Sequence, residues 1–124
     1  MTNSKDTIVA ANEVRLVGRV ATGATTRELP SGDTVTVLRL VVPRSPRAGR
    51  PRGPSSDTLD CAVWSARLRQ RAARLAPGTL VEVQGALRRR FWRTPTGPAS
   101  RYEVEVVSLR RLPPSLAATT AAGP

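Results

Sequence analysis

Apolar and polar residues alternate along this chain in five short runs. They are "EVRLVGRV" (13–20), "DTVTVLRLVV" (33–42), "TLDCAVW" (58–64), "TLVEVQGALRRRFW" (79–92) and "RYEVEVVSLRRL" (101–112). All are rich in Val, Leu and Thr, and the period near two predicts β-strands. Turn chemistry separates them, as in "PSG" at Pro30–Gly32 and "PTGP" at Pro95–Pro98. One segment follows a different period. In "SARLRQRAARLAPG", Leu68, Ala72 and Leu75 recur at helical spacing, Ser65 can cap the start, and Pro77-Gly78 stops the helix.

Three strands, a helix and two further strands match the order of the five-stranded oligonucleotide/oligosaccharide-binding (OB) barrel. The expected fold is therefore all-β, with one helix between strands 3 and 4 plugging the open end of the barrel. Three stretches offer little to bury: residues 1–11, the Pro/Arg segment "PRSPRAGRPRGPSSD" (43–57), and "PPSLAATTAAGP" (113–124). These are expected to be a flexible N-terminus, a mobile loop inside the domain and a disordered tail, leaving 12–112 as the folded unit.

Strand parity sorts the side chains by face. In the fourth run, Val81, Val83 and Leu87, with Gly85 between them, point to the core. Glu82, Gln84, Ala86, Arg88, Arg90 and Trp92 share the outer side. Arg89 and Phe91 return to core parity, so Phe91 is expected to close the rim of the core while Arg89 reaches solvent past it. In the third run Leu59, Cys61 and Val63 are apolar, and Thr58, Asp60, Ala62 and Trp64 face outward. Trp64 stands at a strand–helix junction, where a bulge would instead turn it into the core.

Charge changes the picture. With 20 basic and 9 acidic residues the net charge is +11, and all the basic residues but Lys5 are arginines. That excess reads either as a solvated basic surface or as the footprint of an anionic partner, nucleic acid above all. The chain has no histidine and one cysteine, Cys61. A His/Cys metal site and a His-dependent catalytic triad are thereby excluded. Cys61, in the apolar "LDCAVW", reads as a small buried hydrophobe, and a lone cysteine fits a reducing compartment. The carboxylates are scattered, and Glu103 and Glu105 read as one face of a strand, so neither an enzyme nor a cofactor is expected. "MTNSKDTIVAANEV" lacks a long apolar run, which predicts neither signal peptide nor membrane span, and hence a cytoplasmic protein.

Two outward indoles interleaved with arginines have a specific use. Unpaired nucleobases expose flat apolar faces on which indole stacks whatever the base, while guanidinium groups pair with phosphates. Such a surface tolerates any sequence and prefers single strands, because bases in a duplex already stack on one another. Arg44, Arg47, Arg50 and Arg52 of the Pro/Arg segment could add an electrostatic clamp, or simply be solvated. The row Arg67, Arg71 and Arg74 on the helix reads as a solvated face.

At these residues the chain resembles the bacterial single-stranded DNA-binding proteins. The similarity runs from about Asn12 to Leu112, through "NEVRLVGRV", "TRELPSGDTVTVLRL", "LDCAVWSARLRQRAARLAPGTLVEVQGALRRRFW" and "RYEVEV". The resemblance implies an OB barrel that assembles as a homotetramer, with a dimer as the alternative. It also implies a cytoplasmic, nucleoid-associated protein that covers single-stranded DNA in replication, recombination and repair. It assigns Trp64 and Trp92 to stacking positions and Arg88 and Arg90 to basic positions leading up to Trp92. Asn12 and Arg27 fall near the DNA path. The chain departs from the family at Thr58, where a stacking aromatic is usual, and near Pro46, where the Pro/Arg segment replaces another. Recruitment of replication enzymes through the family's acidic C-terminal tip is not expected, since the tail reads "AATTAAGP". Those departures imply weaker, more salt-sensitive binding by an accessory paralogue that does not recruit such enzymes. Two other readings remain: an RNA-binding OB protein, and an OB assembly module with its tryptophans in a subunit interface.

Overall fold

The computed structural model describes residues 8–45 and 55–115. Six strands and one helix follow in the order β1 (Val14–Val20), β2 (Thr25–Glu28), β3 (Thr34–Pro43), β4 (Ser56–Val63), α1 (Ala66–Ala73), β5 (Leu80–Thr94) and β6 (Gly97–Arg111). β1, β5, β6, β4 and β3 pair in that order, and β1 returns to β3 through Arg19↔Val41 and Val20↔Leu40. The five strands thus close a barrel, and α1 lies between its third and fourth strands in chain order, as the run order predicts. The pattern reading had no separate β2. This fully exposed strand hairpins onto β3 through the Pro30–Gly32 turn and extends the edge along which β1 pairs.

Parity explains the core. Leu38, Leu40, Cys61, Val63, Val81 and Val83 are all fully buried, and Leu38↔Cys61 and Leu40↔Leu59 oppose one another across β3 and β4. The Cys61 thiol is pushed up to about 12 by burial, and next by the charges of Asp60 and Glu103. No reactive thiolate forms there at neutral pH. Ser65 Oγ accepts from the Leu68 amide at 3.2 Å and caps α1. The helix then lays Ala72, with Leu68 and the following Leu75, against the barrel core. Gly18 lies where β1 passes from β5 to β3. A Cβ there would come 2.5 Å from the Val41 carbonyl oxygen, so only glycine lets the strands meet at this corner.

Beyond the barrel, β5 and β6 continue alone. β1 leaves β5 at Val14↔Gly85, and the β4–β6 register is Cys61↔Val104 and Ala62↔Glu105. Residues 88–94 and 97–103 then form a two-stranded arm, roughly 20 Å long at the usual rise per residue, ending in a turn at Pro95-Thr96. The absence of a covering layer overturns two expectations. Leu87 is 46 % exposed, and Phe91, expected to close the rim of the core, is 68 % exposed. Pairing of β3 with β4 extends to Pro43↔Ser56, and the Arg44 amide donates to the Ser55 carbonyl at 2.8 Å. The expectations for residues 1–7, 46–54 and 116–124 lie outside the described residues.

Glu82 is the exception to a simple outer face. It lies nearly buried on β5 between Arg15 of β1 and Arg110 of β6, pairing with both. The hydrogen bond from Arg15 chiefly, with that from Arg110 adding to it, holds its carboxyl below the usual carboxylate range against the opposing effect of burial. A depressed carboxyl contributes stability above its unfolded pKa and loses it as pH falls through the folded value. Melting temperature should therefore drop on acidification from about pH 5 downward. Glu82→Gln should flatten that acid limb, and an unchanged limb would show that the pairs add nothing.

Candidate nucleic-acid interface

The outer parity of β4, β5 and β6 forms one continuous face. On the arm, Arg88↔Glu103, Arg90↔Arg101 and Trp92↔Ala99 are directly opposed, so Arg88, Arg90 and Trp92 share a side as the alternation predicts. Trp64 projects from the end of β4 on that same side, half-buried rather than in the core. The Arg90 guanidinium lies 5.0 Å from the Trp64 ring centre. At the tip, Arg101 lies 5.7 Å from the ring of Trp92, which is 43 % exposed. Two indole–guanidinium pairs thus lie along a surface floored by Ala62, which is buried although on the outer parity.

Register extends this face in the other direction. Arg27 opposes Val35 across β2 and β3, and Val35 falls on the same parity as Trp64. Arg27 is exposed, and among the described residues no carboxylate pairs with it. The other candidates are placed differently. Asn12 donates to the Leu87 carbonyl and accepts from the Leu87 amide, both at 2.8 Å. Its amide acts as one more rung of the β1–β5 ladder and supports the base of the arm. Arg44 grips Asp57 through two hydrogen bonds, of 2.7 and 3.0 Å, across the ends of β3 and β4. That grip holds the Asp57 carboxyl below its usual range. Arg47 lies outside the described residues.

The arginines of the face are not bare charges. Arg88 pairs with Glu105 at 2.9 Å and Arg90 with Glu103 at 3.4 Å, while Asp60 bridges Arg39 and Arg101 at 3.1 and 3.2 Å. Four guanidinium groups thus meet three carboxylates. These pairs orient the planar groups, and each arginine keeps further N–H donors for an incoming oxyanion. The sequence reading missed Arg101 and this acid lattice. The signal was present: a two-residue turn at Pro95-Thr96 fixes Thr94↔Gly97, and every arm pairing follows by counting back. Among the described residues, no group of His, Cys, Asp or Glu is arranged to hold a metal ion, and no helix is long and apolar enough to cross a membrane.

Comparison with known proteins agrees with this geometry. Residues 11–112 match the single-strand binding protein family. A single-stranded DNA-binding protein of Thermotoga maritima is 36 % identical over 98 residues, covering 78 % of this chain and 69 % of the relative. Among solved structures, the Plasmodium falciparum SSB complex with ssDNA superposes with a TM-score of 0.72 at 24 % identity, covering 86 % of this chain and 99 % of that one. The match spans the whole barrel and both strands of the arm. The chain belongs to the single-strand binding protein family.

Proposed function

We propose that this protein binds single-stranded DNA without regard to sequence, stacking bases on Trp64 and Trp92 and pairing phosphates with Arg88, Arg90 and Arg27. The observation that carries the reading is the union of both indoles with arginines on one outer face, although they come from different strands. The ion pairs tune the mechanism. A phosphate approaching Arg88 or Arg90 meets a preset guanidinium plane and competes with Glu105 or Glu103 for it, and the counterions released as phosphates are neutralised make binding sensitive to salt. Its role is then to cover single-stranded DNA exposed in replication, recombination or repair, in the cytoplasm, as a binding protein rather than an enzyme. The resemblance to the bacterial proteins also implies a homotetramer.

Titration with oligothymidylate against a matched duplex tests the reading. Trp64 and Trp92 are the only indoles, so the single strand should quench intrinsic emission to saturation and the duplex should not. The slope of log K against log salt should be about −0.7 per phosphate neutralised. Arg88→Ala with Arg90→Ala should make that slope shallower by about one to two units. Equal quenching by duplex, or an unchanged slope, would count against the proposed contacts.

A further inference from the structure

The reverse side of the β5–β6 arm has its own chemistry. It keeps core parity, but the barrel has ended beneath it, leaving Phe91 68 % and Tyr102 60 % exposed. Arg89 lies directly opposite Tyr102, and Phe91 opposite Ser100. The Arg89 guanidinium is 5.0 Å from the Phe91 ring centre and 5.3 Å from that of Tyr102, and it donates to Ser100 Oγ at 3.1 Å. Arg93 follows on the same parity. Among the described residues no carboxylate pairs with Arg89 or Arg93, whereas Arg88, Arg90 and Arg101 on the opposite face all have acidic partners.

We propose that this reverse face is a second stacking surface for single-stranded DNA, so that a bound strand passes around the arm and engages both of its sides. The inference rests on the single-strand reading above. Charge selects the occupant. Guanidinium groups with no acidic partner among the described residues, set beside exposed rings, suit a polyanion with flat apolar bases, and Arg89, close to both rings, adds its planar guanidinium to that surface. A two-fold contact with a second copy through this face would instead bring the Arg89 and Arg93 side chains of both copies into one interface, a gathering of like charge that disfavours association. An arm only two strands wide leaves both faces open to one flexible strand.

Photo-crosslinking tests this on the unaltered protein. An oligothymidylate of about 35 nucleotides, longer than the ~4–16 that one OB fold usually occupies, carries 5-bromouracil throughout. Adducts are expected at Phe91 or Tyr102 as well as at the tryptophans. The double variant Phe91→Ala, Tyr102→Ala should melt normally and keep its tryptophan quenching at saturation. Its affinity for the long oligomer should fall about tenfold or more, and each protein should occlude fewer nucleotides. Adducts confined to Trp64 and Trp92 with unchanged affinity would overturn the proposal. Loss of self-association in sedimentation, with DNA affinity intact, would assign the face to a second copy and also overturn it. If the unaltered protein shows no quenching at all, the single-strand reading itself has failed, and this inference falls with it.

Discussion

Gly85→Ala is expected to destabilise the barrel by about 3 kcal/mol, at the upper end of the usual cost of overpacking. A Cβ at this position would lie 2.8 Å from the Glu105 carbonyl carbon, nearer still to its oxygen, and 3.2 Å from the Val106 Cα. All of these are backbone atoms of the partner strand, so no side-chain rotation relieves the clash. Here the β5–β6 register also shifts, from Gln84↔Ser108 to Gly85↔Val106, leaving Val107 as the extra residue of a bulge. Displacing the Glu105 backbone would move the carboxylate that holds Arg88, so affinity for oligothymidylate should fall with stability. Gln84→Ala, at the exposed neighbour, should change stability by less than about 0.5 kcal/mol. Thermal melting of both variants decides the matter. A Gly85→Ala protein that melts like the parent would show that the bulge does not require this close approach.

Trp92→Ala and Trp64→Ala should separate binding from folding. Trp92 is 43 % exposed near the tip of the two-stranded arm, where its ring lies beside Arg101. Its loss should cost roughly 1–3 kcal/mol of binding to oligothymidylate, remove a large part of the fluorescence quenching, and leave the melting temperature almost unchanged. Trp64 is half-buried at the β4–α1 junction beneath Arg90. Trp64→Ala should weaken binding by a similar amount and also destabilise the fold, by less than the ~3–5 kcal/mol of a fully buried tryptophan. Melting and titration of each variant supply both readouts. A Trp92→Ala protein that melts far earlier yet binds normally where folded would make that residue structural and sink its stacking role.

The legible part of this protein was the part governed by local periodicity. Alternation along 58–64 and 79–92 separates Cys61, Val63, Val81 and Val83 from Trp64, Arg88, Arg90 and Trp92, and the structure keeps that separation. Where periodicity misled, the cause was an absent layer. Leu87 and Phe91 have the parity of core residues, but parity names a side of the sheet and says nothing of what lies on that side. The placement of Asn12 was equally beyond local reading. Its bonds to Leu87 join residues 75 positions apart, and nothing near Asn12 in sequence announces that partner.

By itself, then, the sequence determined the five barrel strands, helix α1 with its Ser65 cap, the buried identity of Cys61, and the common side of Arg88, Arg90 and Trp92. Each follows from interactions within a few residues. Tertiary structure decided which charges remain free. Arg88 and Arg89 are adjacent and chemically identical, yet one meets Glu105 and the other lies close to the rings of Phe91 and Tyr102. A strand turns successive side chains to opposite faces, and only the pairing of β5 with β6 and β4 sets which groups await them there.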